Sequence, residues 1–193
     1  MTKIIYLVRH GQTFFNSHHL VQGRCDSPLT AVGIQQVKAT RDYFNQQGIQ
    51  FDHAYTSTQE RACDTLELLT NLTYQRLKDL RERDYGIFEG SNEFLLPWNQ
   101  GGSEEEATME PVAHVLMRMR RAVSQIVDEM TEGQTTLIAA HGDLLARYVR
   151  SETAVTDFFG FRNAAWVKLA IEGAHVTFVA SGWPPETLQK RTK

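Results

Sequence analysis

The chain has 193 residues, of which 41% are hydrophobic and 22% charged, and its formal net charge is -3 at neutral pH. That length suits one domain with a substantial core, and so small and mixed a charge argues against a nucleic-acid or membrane-surface partner. No apolar run approaches a membrane span, no block of five Lys or Arg occurs, and only Cys25 and Cys63 are present, without CxxC spacing. The expectation is a cytoplasmic protein with reduced thiols.

The chain begins with Lys3–Val8, a β-branched apolar run of buried-strand type, too early and too short for a signal peptide. Arg9-His10 ends it, and a loop rich in Gly, Asn, His and Asp follows. Thr30 can cap a helix running to about Gln47, with Gly48 as its stop and Ile34, Val37 and Phe44 on its apolar face. Asp52–Thr56 reads as a second strand, and Ser57 or Thr58 opens a helix through Leu69. Tyr74–Leu77 is a polar candidate for a third strand. Ser103 and Glu106 form a capping-box pattern ahead of the longest helix, which follows Pro111. Its apolar positions Val112, Val115, Leu116, Met119, Val123, Ile126, Val127 and Met130 recur at spacings of three and four, up to a stop at Gly133. Thr135–Ala140 is another buried strand, ending in His141-Gly142, with Asp143 as cap of the next helix. Ala165–Ile171 and His175–Ala180 make a hairpin around Glu172-Gly173. The tail Lys190–Lys193 reads as a solvated terminus. Strands alternating with helices imply an α/β sheet covered on both faces, with ligands beyond the carboxyl ends of the strands. Two of those ends carry a histidine.

Four short constellations carry chemistry. Arg9-His10-Gly11-Gln12-Thr13, followed by Asn16, joins an arginine fork suited to phosphate with a glycine that lets the backbone approach a ligand closely. The histidine there can serve as nucleophile, base or donor. Ser57-Thr58-Gln59-Glu60-Arg61 places Arg61 one turn into a helix that follows a strand, where backbone donors favour anions. Leu80-Arg81-Glu82-Arg83-Asp84-Tyr85-Gly86-Ile87-Phe88-Glu89-Gly90 taken alone is a charged loop. Ala139-Ala140-His141-Gly142 sets the second histidine at a strand mouth.

Taken together and in this order, these pieces resemble the histidine phosphatase (phosphoglycerate mutase-like) superfamily across essentially the whole chain. The match includes the RHG-x-T-x-x-N opening, Gln22-Gly23, Asp26–Thr30 with Gly33 and Gln36, the segment around Arg61, the LRE-x-x-x-G-x-x-EG stretch and the late HG. The resemblance implies an α/β fold, a three-layer α/β/α sandwich with a mainly parallel central sheet. The whole chain, 1–193, would be one such domain, with a variable lid at about 86–116. It implies that His10 is the phosphorylated nucleophile, that Arg9, Arg61 and His141 complete the phosphate pocket, and that Glu82 is the general acid/base. Gly11, Gln12, Thr13, Asn16, Gln22, Gly23 and Gly142 match positions near bound phosphate and substrate.

Such a set suits phosphoryl transfer without a metal or any other cofactor, because fixed cations neutralise charge spread over the equatorial phosphate oxygens. His18, His19 and Cys25 lack metal-ligand spacing and read as loop residues. Trp98, Trp166 and Trp183 read as core or pocket-wall aromatics. Glycolytic mutases, by the same resemblance, are longer and carry basic residues after the Tyr-Gly of the third motif. Here Gly86–Leu116 contains no Lys or Arg but six glutamates, Glu89, Glu93, Glu104, Glu105, Glu106 and Glu110, read as mostly solvated. The expected function is therefore hydrolysis of a small phosphorylated metabolite with a neutral or weakly charged tail. The lid aromatics and aliphatics Phe88, Phe94, Leu95, Leu96, Pro97 and Trp98 are candidates to cover that tail, and Arg24, Arg81, Arg83 and Arg162 are candidates to reach it from elsewhere. A phosphoglycerate mutase and a non-catalytic phospho-ligand binder are the alternatives, and a homodimer is left open.

Overall fold

A computed structural model of the chain describes residues 2–104, 106–155, 158 and 160–186. The readings made for Glu105 and for the Lys190–Lys193 tail lie outside them. Among the described residues, six strands form one sheet: β1 (Lys3–Arg9), β2 (His53–Ser57), β3 (Gln75–Leu77), β4 (Thr135–Ala140), β5 (Trp166–Glu172) and β6 (His175–Gly182). Their order is β3-β2-β4-β1-β5-β6. β1, β2, β3 and β4 run parallel, β5 is antiparallel to β1, and β6 returns against β5. The helices are α1 (Phe14–Ser17), α2 (Ala31–Gln46), α3 (Glu60–Leu69), α4 (Val112–Glu129) and α5 (Gly142–Glu152).

Alternation along the buried strands divides the core in two. Ile5 and Leu7 of β1 and Ile138 of β4 pack with Val115, Met119 and Ile126 of α4 and with Leu144, Leu145 and Val149 of α5. Tyr6 and Val8, with Leu137 and Ala139, pack on the opposite face with Val37 and Phe44 of α2 and Leu66 and Leu69 of α3. Both faces of the strands are thus covered, which is why β1 and β4 are apolar without a break. Each fully buried Leu or Ile contributes about 1.5–3 kcal/mol relative to exposure.

The element boundaries depart from expectation where a partner distant in sequence takes over. α3 begins at Glu60 because Ser57 is still paired in β2, and its N-cap is Gln59. The third strand shrinks to three residues. α4 starts with Pro111 as its N-cap, so Ser103 and Glu106 do not form its capping box; the Glu106 carboxylate instead accepts from the backbone N and Oγ1 of Thr108. The same helix ends at Glu129, and Gly133, at φ 84°, belongs to the following turn. Residues 112–116, expected at the end of the lid, are its first turn. Asp143 does not cap α5, whose N-cap is His141.

What α2 does for the site shows at Gly33. Thr30 caps the helix through Gly33 N (3.0 Å), and its own N donates to Gln12 O (2.9 Å). Gln12 N in turn donates to Gln36 Oε1 (2.9 Å). The first turn of α2 therefore lies directly on the loop that follows His10. A Cβ at Gly33 would stand 2.0 Å from Gln12 O. In an open helix Gly→Ala would stabilise by about 1 kcal/mol. Here Gly33→Ala is expected to destabilise by about 1–3 kcal/mol because backbone must move. Urea unfolding measures the sign, and a higher midpoint would refute the close approach.

Candidate active site

Parallel register places the two histidines side by side. Arg9 pairs with Ala140, so the residues that follow, His10 and His141, leave the sheet at the same level. His10 N donates to Ala140 O (3.0 Å), and the two imidazole centroids are 5.4 Å apart. His10 is 3% exposed and His141 is fully buried. The His10 Nδ1 lies 2.8 Å from Gly11 O. Because a carbonyl can only accept, Nδ1 carries the proton and Nε2 keeps a lone pair. Burial, reinforced by the charges of Arg61 and Arg9, holds the His10 imidazole well below its ordinary pKa. Burial and then Arg61, His10, Arg118 and Arg9 do the same to His141. Both rings are neutral near pH 7.

The arginines differ in how much of each is already committed. Arg61 is fully buried and donates through Nη1 to Cys25 O and Asp26 Oδ1 (both 2.9 Å), and through Nη2 to Gln22 O (3.3 Å) and Gly23 O (3.0 Å). Its ion pair is with Asp26, from the loop before α2. Arg9 donates through Nη1 to Phe161 O at 2.7 Å. Arg9 Nε, Arg61 Nε and both ring nitrogens of His141 are buried without a hydrogen-bond partner among the described residues. Buried polar groups are rarely left unbonded, and the two guanidinium Nε–H groups, with the single N–H of a neutral His141, suit an anionic ligand.

Glu82 arrives from the loop after β3 and is 5% exposed. Its Oε2 accepts from Asp143 N (3.0 Å), and its Oε1 accepts from Leu144 N and Arg83 N (both 2.9 Å). The carboxylate thus caps α5, in the role the local sequence suggested for Asp143. Burial, then the negative charge of Asp143, raises the Glu82 pKa, against the pull of those three N–H groups. Its backbone is held as firmly: Glu82 N donates to Gln59 Oε1 (2.9 Å), and Arg118 Nη2 donates to Glu82 O (3.1 Å). Arg118 also grips Asp79 O and Arg81 O, and pairs through Nε and Nη2 with both carboxylate oxygens of Glu110.

These groups open on a cavity of about 520 Å³. Of the residues expected there, Arg9, His10, Asn16, Gln22, Glu82 and Gly142 line it. Arg61 and His141 lie behind His10. Gly11, Gln12, Thr13 and Gly23 are not among the lining residues: Gly11 N donates to Thr65 Oγ1, Gln12 Oε1 accepts from Thr30, Thr13 Oγ1 donates to Gln22 Oε1, and Gly23 leaves no room for a Cβ beside Arg83 O. Tyr85, Glu93, Asp143, Arg150 and Phe161 also line the cavity, and no local motif singled them out for it. Burial, then Asp143 and Glu82, raises the Tyr85 phenol pKa well above its usual value. Of the proposed lid hydrophobics only Leu96 and Trp98 reach the wall; Phe94 and Leu95 are 65% and 51% exposed. Trp166 is core, and Trp183 lies half-buried beneath Arg162. Among the described residues, no group of three or more His, Cys, Asp and Glu is placed to hold a metal ion, and no helix is long and apolar enough to cross a membrane.

The glutamates are not simply solvated. Glu89 accepts from Gly23 N, Arg24 N, Cys25 N and Tyr85 N at 2.8–3.1 Å, and Glu110 is committed to Arg118.

Comparison with known proteins gives this geometry a family. The model of the histidine phosphatase superfamily (branch 1) matches residues 5–184, and the chain belongs to that superfamily. It is 32% identical over 164 residues to the 2,3-bisphosphoglycerate-dependent phosphoglycerate mutase of Nitrobacter winogradskyi, covering 76% of this chain and 79% of that one. Its fold is similar to phosphoglycerate mutase from Bacillus anthracis, with a TM-score of 0.83, 23% identity and coverage of 98% and 97%. It is also similar to a mycobacterial glucosyl-3-phosphoglycerate phosphatase, with a TM-score of 0.79, 25% identity and coverage of 92% and 97%. The sheet is of the phosphoglycerate mutase-like kind, mostly parallel, as the sequence led one to expect.

Glu89→Ala strips a carboxylate from four N–H groups and should lower stability by about 2–3 kcal/mol. Its residual activity should fall equally for alkyl and aryl phosphates. A loss confined to alkyl phosphates would make Glu89 the proton donor instead.

Proposed function

We propose that the protein is a phosphomonoester hydrolase working through a phosphohistidine. The observation that carries this reading is His10: Nδ1 is spent on the Gly11 carbonyl, Nε2 keeps its lone pair, and unpartnered cationic nitrogens stand beside it. Nε2 attacks phosphorus while the ester P–O bond breaks. Arg9, with Arg61 and His141 behind, offsets the charge on the equatorial oxygens. Protonated Glu82 gives its proton to the leaving oxygen. A water then attacks phosphorus as the P–Nε2 bond breaks, Glu82 takes the water's proton, and inorganic phosphate leaves with His10 restored. The 86–111 segment acts as the lid and contributes Glu93, Leu96 and Trp98 to the substrate wall.

A mutase is the second reading, favoured by the similarity to phosphoglycerate mutases. Turnover as a mutase requires a bisphosphate whose second phosphate is held by cations. Arg24 is instead engaged with Asp84 and Glu110, Arg83 donates to Glu110 O and Glu104 O, and Arg162 stacks on Trp183. This favours hydrolysis, although Arg150 does line the cavity.

His10→Ala should abolish turnover, and the wild-type enzyme quenched with substrate should carry acid-labile phosphate on His10. Normal turnover in His10→Ala removes the proposal, and transfer between phosphoglycerates outpacing hydrolysis replaces it with the mutase.

The pH profile follows from the two shifts. His10 must be neutral, so kcat/KM falls only as pH drops through its lowered pKa. Glu82 must be protonated, so kcat/KM falls as pH rises through its raised pKa. An activated aryl phosphate leaves without a proton, so Glu82→Gln assayed on it should lose the alkaline limb. On an alkyl phosphate the same variant should lose about 10²–10⁴-fold. Equal losses on both substrates would reduce Glu82 to a helix cap.

A further inference from the structure

We propose that the cavity end between Arg150 and Glu93 binds a zwitterionic tail, with carboxylate on Arg150 and ammonium on Glu93, so that the substrate is the phosphate ester of a small hydroxy amino acid. The inference rests on the phosphatase reading and deepens it.

Gly142, Asp143, Ala146 and Arg150 all line the cavity, and their spacing of three and four places them along one stripe of α5. Gly142 touches the phosphate end, where a Cβ would meet Arg9 Nε at 3.1 Å. Eight residues on, Arg150 stands about 12 Å further along the helix axis. Its exposed side chain lines the cavity as a second cation and donates to Phe158 O. The cavity wall thus carries a cation beside His10, Arg9, and another on the same wall, Arg150.

The charges around this end are already sorted into committed and uncommitted groups. Arg147 pairs with Asp143 and Glu104. Glu82 is bonded to three backbone N–H groups. Arg150 donates once, through Nη1 to Phe158 O at 3.1 Å, and has no carboxylate within ion-pair distance among the described residues. Glu93 meets the exposed His19 ring at 3.8 Å, and its negative charge also acts on Arg9. One cation and one carboxylate on the cavity wall are thus without a close hydrogen-bonded ion pair among the described residues. A purely acidic tail would satisfy Arg150 and be repelled by Glu93; a purely basic one would do the reverse. A tail carrying both signs satisfies the two together and is neutral overall.

The test compares kcat/KM for O-phospho-L-serine, 3-phosphoglycerate (hydroxyl in place of the amine) and phosphoethanolamine (no carboxylate), with p-nitrophenyl phosphate as a tail-free reference. Phosphoserine should exceed each analogue by about 10–100-fold, the range of a charge-assisted hydrogen bond. Arg150→Gln should collapse the phosphoserine-to-phosphoethanolamine ratio toward one. Glu93→Gln should collapse the phosphoserine-to-phosphoglycerate ratio and leave the other ratio standing. Hydrolysis of p-nitrophenyl phosphate without preference for phosphoserine, or ratios insensitive to either variant, overturns the tail assignment while the phosphatase stands. Failure to hydrolyse any of the four, with no phosphate trapped on His10, overturns both.

Discussion

Two arginines and two histidines are packed together at the carboxyl ends of β1 and β4, and nearly everything around them answers the electrostatic cost of that arrangement. Four cations in so small a buried volume would force the loops apart. The imidazoles avoid this by staying neutral, which burial and the neighbouring guanidinium groups both enforce. The charge of Arg61 is absorbed by Asp26 and three backbone carbonyls of residues 22–25, so the same contacts that quiet the arginine also fold that loop. Arg9 makes one carbonyl contact and keeps an unbonded Nε, with Glu82 and Glu93 as nearby opposite charges. What remains is a pair of guanidinium groups whose Nε–H donors have no hydrogen-bond partner among the described residues. Such a preorganised site spends little on reorganisation during reaction.

The carboxylate that faces this cluster is held by backbone. Glu82 lies in a stretch with no regular structure beyond a turn, yet it has a fixed position because α5 needs a cap and Arg118 needs acceptors. One carboxylate satisfies N–H groups of α5 and of its own loop, while Gln59 and Arg118 bind its main chain. Glu89 does equivalent work one loop away, knitting residues 23–25 to Tyr85. Both acidic residues of the motif are thus held by backbone donors, three at Glu82 and four at Glu89, and Glu82 is in addition buried beside Asp143.

Much of this was readable in the chain. The unbroken apolar runs of β1 and β4 announced strands covered on both faces, and Arg9-His10 and His141-Gly142 at their ends pointed to the candidate site. The three- and four-residue rhythm of α4 located that helix without its caps. Other features escaped because they depend on residues brought together only by folding. Asp143 has the composition of a helix cap, but a carboxylate 61 positions earlier occupies that place. Ser103 and Glu106 have capping-box spacing, but the chain between them and α4 turns elsewhere. Arg150 lies outside every motif, and only the stripe it shares with Gly142 and Ala146 could have suggested a place at the cavity.

The left-handed glycines that close the turns at the far end of the sheet have a different bearing. Gly48, Gly133 and Gly173 precede β2, β4 and β6, at φ 64°, 84° and 59°, and no atom lies within 4 Å of where a Cβ would be built on any of them. All three lie at the sheet edge opposite His10, since the parallel strands begin there and β5 ends there. At the other edge Gly11, Gly23 and Gly33 are wedged against backbone. The molecule therefore has one end where chain length is dictated to the residue and another where it is nearly free. Reporter insertions, affinity tags or new chain termini belong in the latter, where the architecture can absorb added length without disturbing the chemistry at the former.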